Sequence, residues 1–524
     1  MASPWAGYQA ILEHMPSKTR SFLLQGVDAT PCEVEVDLDD AALAKETIVG
    51  LPDAAIRESI ERVRAAMTNT GYQFPNGRLV INLAPAHLRK EGPIYDLPIA
   101  VGLLHATGVL RSHAPDESPP RMHRCMIAGE LALDGRIRPV RGVIAMADLA
   151  RHEDLDAVIV PAENAAEAAV AGPTTYGART LAEVVGLLNG VLDLEPQSPP
   201  DLESMLHAAR APIDFAEVRG QEAVKRAIVI AAAGGHNVVM LGPAGTGKTM
   251  MARALPGVLP PMSSGEAIEI TRIHSAAGEL PPGQGLVASR PVRTPHHTAS
   301  AASIVGGGVV PRPGEVSLAT HGILFMDELP EFPRSVLETL RQPLEDHQVT
   351  ISRSRGTVRF PADFLFVAAM NPAPGGSAGT SAAGIKAAER YRARISGPLL
   401  DRIDIHVEAP AVPWKELSAT SANGSTDSAT MRDRVLRARR VQTARQGEGA
   451  LNGRLRGKQL DTLAPMSEPA RALLGQAIAE LGLSARAYDK VRRVARTVAD
   501  LESAEGLDVQ HVAEAVQYRL LDRA

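Results

Sequence analysis

The sequence predicts an α/β protein in three parts: an N-terminal α/β or α+β domain, a central α/β core and a C-terminal set of helices. Three observations predict it. Between residues 211 and 410, short apolar runs that read as buried strands alternate with helical stretches. One of those runs, Asn237-Val-Val-Met-Leu241, leads directly into a glycine-rich turn and the helix-like Met250-Met-Ala-Arg-Ala254. Beyond residue 466, the stretches Ala470–Leu481, Ala485–Leu501 and Val509–Leu521 each place apolar residues at helical spacing.

At 524 residues the chain is too long for one core, so several domains are expected. Residues 1–190 combine helical patterns at Asp53–Met67 and Leu97–His105 with the strand pattern Leu79-Val-Ile-Asn-Leu83. Further on, Ala145–Arg151 and Asn164–Ala171 read as helices on either side of the strand Ala157-Val-Ile-Val160. Residues 191–210 read as a linker, because the prolines of Leu194-Glu-Pro-Gln-Ser-Pro-Pro-Asp201 cannot enter a regular ladder. The core then spans 211–410. A polar and basic connector, 411–465, opens with the Ser/Thr/Asn-rich stretch Ser418–Thr430, and residues 466–524 form the helical end.

Composition narrows the class. The chain is 45% hydrophobic and 22% charged, with no apolar run of about eighteen residues to span a bilayer, so no membrane role is expected. Two cysteines, Cys32 and Cys125, cannot form a disulfide framework, which predicts a reducing, cytoplasmic setting. A net charge of −5 argues against a wholly basic nucleic-acid binder while leaving room for a local basic surface.

The chemistry concentrates in the core. The turn Gly242, Pro243, Ala244, Gly245, Thr246, Gly247, Lys248 and Thr249 matches the phosphate-binding loop pattern at every constrained position. Its glycines let backbone N–H groups turn inward around phosphate oxygens, and the following helix adds its positive end. Lys248 is expected to reach the β- and γ-phosphates of ATP, and the Thr249 hydroxyl to ligate Mg2+. In Gly322-Ile-Leu-Phe-Met-Asp327-Glu328, an apolar strand delivers Asp327 to its end, where it would hold the magnesium and its waters. Glu328 stands next to it, placed to polarise an attacking water. Phe364–Asn371 is a third buried strand, whose Asn371 either contacts the γ-phosphate or makes a turn before Pro372. In Leu399-Leu-Asp401-Arg402-Ile-Asp404 an arginine stands beside two acids, as an internal salt bridge or as a cation offered to a neighbouring subunit. Arg486 opens a tail helix from which it would touch the same phosphates.

Together these pieces resemble the AAA+ ATPases, in their magnesium-chelatase-like branch, and most closely the ComM/YifB competence-protein family. The resemblance is carried by Gly242–Thr249, Arg293-Thr-Pro-His-His-Thr298, Pro311–Leu318, Gly322–Glu328 and Ile395–His406, and by Leu483–Tyr488 and Val494–Leu501 in the tail. It implies a hexameric ring of identical subunits with ATP between them. Asn371 then corresponds to sensor 1, Arg402 to the arginine finger donated in trans and Arg486 to sensor 2, with residues 466–524 as the lid.

Residues 1–190 resemble the Lon-protease-type, ribosomal S5 domain 2-like domain, in Glu91-Gly-Pro93 and Gly129–Val140. Lon-type peptidases need a serine activated by a lysine. Ile94 and Ile144 stand at those two places, so the domain is expected to be non-proteolytic. Many relatives carry cysteines just after sensor 1; here Asn371–Gly384 holds none, and no zinc is expected. His296 and His297, adjacent and without further ligands, read as structural or nucleic-acid-facing.

Two regions could meet DNA. Val349–Phe360 reads as a hairpin, and in the family's ring it would project toward the pore, where Arg353, Arg355 and Arg359 track phosphates or simply face solvent. Residues 431–458 hold nine Lys or Arg against two acids, with Arg432, Arg434, Arg437, Arg439, Arg440 and Arg445 on one predicted helix. The resemblance implies an ATP-driven motor on branched, single-stranded or duplex DNA, gripped without sequence preference, in branch migration during integration of transforming or recombining DNA. A chelatase-type motor that drives metal insertion, or remodels a protein partner, is the alternative.

Overall fold

The computed structural model describes residues 16–40, 42–111, 120–308, 310–353, 356–372, 391, 394–413 and 426–522. They pack as two units. The first holds the chain through Met205 together with Ser264–Val287, and the second holds Leu206–Ser263 and everything from Ala288 on.

The first unit is built on a seven-stranded mixed sheet. Its strands are β1 (Ser17–Gln25), β2 (Asp28–Asp39), β3 (Lys45–Val49), β4 (Arg78–Ala84), β5 (Cys125–Ile127), β8 (Ala157–Pro161) and β9 (Thr174–Ala178), in the order β3-β4-β2-β1-β5-β8-β9. A small separate ladder pairs β6 (Glu130–Leu131) with β7 (Ile137–Arg138). β1 and β2 form a long antiparallel hairpin from Ser17↔Val36 to Gln25↔Asp28. In β2, Cys32, Val34 and Val36 alternate with charged residues and turn their apolar side into one core. The helices Ser59–Asn69, Asp96–Ala106 and Leu181–Leu188 cover that face, while Val143–His152 covers the other with Phe22, Met126, Val158 and Val160.

A contiguous reading of residues 211–410 does not foresee where Ser264–Val287 goes. The helix Ser264–Ala277 packs in the first unit, and a buried carboxylate shows why. Glu167 accepts hydrogen bonds from Ile144 N at 2.9 Å, from Asn164 Nδ2 at 3.1 Å and from the Ser275 hydroxyl. Ser275 Oγ in turn accepts from Gly142 N at 2.9 Å, and Arg272 pairs with Asp148 at 2.7 Å. Burial pushes the Glu167 carboxyl up, and these donors pull it back.

The second unit centres on a five-stranded parallel sheet. Its strands are β10 (Val238–Leu241), β11 (Val292–Arg293), β12 (Ile323–Met326), β15 (Leu365–Met370) and β16 (Ile405–Glu408), ordered β11-β12-β15-β10-β16. β12 is buried along its whole length, as expected for a strand covered on both faces. The helices Glu222–Gly234, Ser428–Gln446 and Ala485–Leu501 share one core with the strands through Ile228, Val367, Ile405, Val435, Val494 and Val498. Truncating a side chain as deeply placed as Phe325 to alanine would cost about 3–5 kcal/mol. β13 (Gln348–Arg353) and β14 (Gly356–Pro361) form a separate antiparallel hairpin. The tail helices are Glu468–Leu481, Ala485–Leu501 and Val509–Gln517; Ser467, Ser484 and Asp508 cap them.

Candidate functional site

Because the sheet of the second unit is parallel, its strands deliver three polar segments to one edge. Gly242 follows β10, Asp327 follows β12 and Asn371 follows β15, with Leu241 level with Met370 and Met326 level with Ala368. This carboxyl edge is where open α/β sheets bind ligands. A Cβ on Gly242 would lie 2.1 Å from Ala409 O, so no other residue fits there. Gly245 and Gly247 have φ of 82° and 86°, the left-handed region in which glycine carries no penalty. The loop then runs into the helix Lys248–Ala254.

Four predicted side chains are joined in two hydrogen-bonded pairs. Lys248 Nζ donates to Gly242 O at 2.7 Å, to Pro243 O at 2.8 Å and to Asn371 Oδ1 at 3.2 Å. Burial lowers its ammonium below the ordinary lysine value, while the charges of Asp327 and Glu328 push it back up. Thr249 Oγ1 donates to Asp327 Oδ2 at 2.9 Å, and the other oxygen of Asp327 accepts from Glu328 N at 3.0 Å. Glu328 itself sits at φ 53°, an uncommon conformation for a residue with a side chain. A hydroxyl and a carboxylate side by side are hard oxygen donors of the kind magnesium takes alongside water and phosphate, so the residues present fit that ion.

His297 is a neighbour that the sequence did not single out for this site. Its Nδ1 lies 4.0 Å from Glu328 Oε2, and its ring lies tilted against His296 with centroids 4.1 Å apart. The tandem histidines gave no hint of it, since only folding brings the loop after β11 beside the end of β12.

The two predicted arginines lie elsewhere. Arg402 precedes β16, which runs parallel to β10, so it belongs to the amino end of the sheet. Asn237, just before β10, marks that end: its Nδ2 donates to Arg402 O at 3.0 Å, and its O accepts from Asp404 N and Ile405 N at 3.0 Å each. The four residues of β10 separate Asn237 from Gly242, five steps along the strand or about 16 Å. Arg402 pairs with neither adjacent acid: it donates to Arg341 O at 3.2 Å, to Pro398 O at 2.7 Å and to the carboxylate of Glu345. Arg486 joins this group, 3.1 Å from Asp401, with its side chain 71% exposed. Among the described contacts none links Arg402 or Arg486 to the phosphate-loop edge.

The hairpin carries Arg353 and Arg359, both exposed, but on opposite faces. Arg353 shares the face of buried Val349 and Ile351, whereas Arg359, opposite Thr350, is on the other. Arg355 lies outside the described residues, as do residues 373–384. On the helix Ser428–Gln446 the six arginines divide. Arg434, Arg437 and Arg440 are exposed and Arg432 is half-buried. Arg439 instead bonds Ala232 O at 2.8 Å, and Arg445 holds Asp500 at 2.5 and 2.8 Å, so these two serve packing. In the first unit Ile144 is fully buried, and Ile94 packs against both apolar cores.

Comparison with known proteins adds to this geometry. The family profile described as magnesium chelatase, subunit ChlI, matches residues 214–417. Profiles described as subunit ChlI of Mg-chelatase and as the ChlI C-terminal region match residues 34–164 and 425–519. The competence protein ComM of Haemophilus influenzae is 42% identical over 504 residues, covering 95% of this chain and 96% of that protein. YifB of Escherichia coli is also 42% identical over 504 residues, with 95% and 96% covered. The magnesium-chelatase 38 kDa subunit of Cereibacter sphaeroides is 28% identical over 185 residues, 32% of this chain and 54% of that protein. Among the described residues no helix is long and apolar enough to cross a membrane.

Proposed function

The chain belongs to the ComM/YifB family of magnesium-chelatase-like AAA+ ATPases, and on that footing we propose that it is an ATP-hydrolysing ring motor that moves DNA branches during integration of transforming or recombining strands. One observation carries the mechanism. Lys248, Thr249, Asp327 and Asn371 gather at the carboxyl edge of the sheet, while Arg402 is anchored at its amino end, about 16 Å of strand away. A cation so placed cannot serve its own phosphate loop. It can serve the loop of a second copy, which makes assembly into a ring part of the chemistry.

In this reading the loop amides and Lys248 hold the β- and γ-phosphates of ATP. Thr249 and Asp327 would hold magnesium, which when bound neutralises charge that builds on the phosphates. Glu328 accepts a hydrogen bond from the attacking water and aligns it with the γ-phosphorus. Asn371, which accepts from Lys248, reports whether the γ-phosphate is present. Arg402 of one copy meets the charge developing on the γ-phosphoryl of the next, and Arg486, beside Asp401, serves that same neighbour. DNA would meet the exposed Arg434, Arg437 and Arg440 and the hairpin arginines Arg353 and Arg359 as a charged backbone, without base recognition.

The test is movement of a synthetic four-way junction by the purified protein with ATP, beside Lys248→Ala. Junction movement by the wild type alone supports the reading; ATPase activity with no movement of any junction, fork or duplex refutes it. The matches to chelatase subunits keep one rival in view. ATPase activity indifferent to DNA but stimulated by a metal-inserting partner would favour that rival.

A further inference from the structure

The segment that carries Arg402 is gripped from behind by the C-terminal helices. Every carbonyl from Arg402 to Asp404 has a donor outside its own turn. Arg402 O accepts from Asn237, and Ile403 O accepts from Lys490 Nζ at 3.0 Å and from Arg519 Nη1 at 2.8 Å. Asp404 O accepts from the same Arg519 nitrogen at 3.1 Å. Lys490 and Arg486 stand four residues apart on the helix Ala485–Leu501, hence on one face, and both reach this segment: Arg486 takes Asp401 while Lys490 takes Ile403. A third link runs from Thr497 of that helix through His236, 2.7 Å away, whose other nitrogen lies 3.7 Å from Asp404.

Lys490 is 4% exposed and Arg519 is 1% exposed. Burying a lysine is costly, and an apolar side chain of similar length would fill the same space without that cost. What the ammonium does that a methyl group would not is donate to the Ile403 carbonyl beside Arg519 and offset the charge of buried Asp404. The carbonyl it holds belongs to the residue next to Arg402.

We propose that Lys490 is a positioning residue for Arg402, through which the helix Ala485–Leu501 of one copy sets the place from which Arg402 reaches the nucleotide of the next. Displacement of this helix in one subunit is then felt as a change in hydrolysis in its neighbour. The proposal rests on the reading that Arg402 acts across subunits, and the experiment separates the two.

Lys490→Met keeps the length and apolar body of the side chain and removes the donor; Lys490→Arg restores a donor. With native mass and binding of a fluorescent ATP analogue matched to wild type, Lys490→Met is expected to lower kcat about 10²-fold while KM moves less than about threefold, since a small misplacement of a catalytic group costs rate rather than affinity. Lys490→Arg recovers part of the loss. Lys490→Gln, polar but too short to reach Ile403, replaces Lys490→Met if the latter does not fold, with the same expectation. Each variant is then mixed with Glu328→Gln, which has a dead site but an intact Arg402 and Lys490. The mixture is expected to exceed the sum of its parts, because a Glu328→Gln neighbour supplies a well-placed Arg402 to the intact loop of the variant. Arg402→Ala mixed with Glu328→Gln is the control. Recovery in the control without recovery for the Lys490 variants, or a wild-type kcat in Lys490→Met, overturns the positioning role. Failure of both mixtures overturns the action of Arg402 across subunits as well.

Discussion

Thr249 Oγ1, in the helix that follows the loop after β10, donates to Asp327 Oδ2, at the end of β12, at 2.9 Å. In the proposed mechanism this pair holds a shared cation. Thr249→Ala is expected to raise the Mg2+ concentration for half-maximal ATPase activity about tenfold or more, and Thr249→Ser to keep it near wild type, since an oxygen ligand is removed in one and kept in the other. A magnesium titration of the ATPase rate measures this.

Lys248 and Glu328 should fail in different ways. Lys248 holds Asn371 and two loop carbonyls, and in the proposed mechanism its loss removes a charged contact to phosphate, so Lys248→Ala is expected to weaken ATP binding by about 1.5–3 kcal/mol. Glu328→Gln keeps the shape of the site and should leave binding intact while kcat falls about 10²–10⁴-fold. Nucleotide titration beside single-turnover hydrolysis separates the two.

Folding should be sensitive to acid through His406. It is fully buried in β16, and its Nδ1 accepts from Leu521 N at 3.2 Å, which requires the neutral ring. Burial, with the nearby charges of Arg519 and Lys490, lowers its pKa well below the ordinary 6.5 against the opposing pull of Asp404. Above pH 6.5 the ring is neutral folded and unfolded alike. As pH falls below that, the unfolded chain takes the proton first, so stability drops by up to about 1.4 kcal/mol per pH unit. Urea midpoints from pH 8 to pH 5 should show a slope in the wild type that His406→Asn reduces; equal slopes would remove His406 from the explanation.

Much of this was legible in the residues. The Gly242–Thr249 loop and the strand ending at Asp327 announce themselves because each element needs few residues and a fixed order. The helices of the tail follow from apolar spacing, and Ala485–Leu501 has the expected ends. The β1–β2 hairpin is hard to see in the residues, although Val34, Val36 and Leu38 alternate with charges, because Pro31 and the dense acids of β2 resemble loop composition. The excursion of Ser264–Val287 into the first unit, and the placement of Lys490 beside Ile403 and of His297 beside Glu328, depend on contacts between residues far apart in the chain. No local pattern encodes them. Charge counting also misled in part: of the arginines on Ser428–Gln446, Arg439 and Arg445 are spent on packing.

That division gives a prediction for DNA. Replacing exposed Arg434, Arg437 and Arg440 with alanine should leave the melting temperature unchanged and lower the slope of log affinity against log salt by about 2–3. Arg445→Ala should do the reverse. It leaves the salt slope alone and costs about 1–3 kcal/mol, because buried Asp500 loses one of its partners. Salt-dependent binding to duplex and forked DNA, with parallel unfolding curves, distinguishes them.

The arrangement of Arg402 at the far end of the sheet from Lys248 makes a demand that one experiment meets directly. Arg402→Ala, about 10³-fold or more below wild type alone, and Glu328→Gln, about 10²–10⁴-fold below it, are mixed at equal concentration and assayed for ATPase rate. A site shared between copies predicts a rate well above the sum of the two, since rings then contain intact loops facing intact Arg402 side chains. A rate equal to that sum, in mixtures shown by native mass to co-assemble, would contradict it.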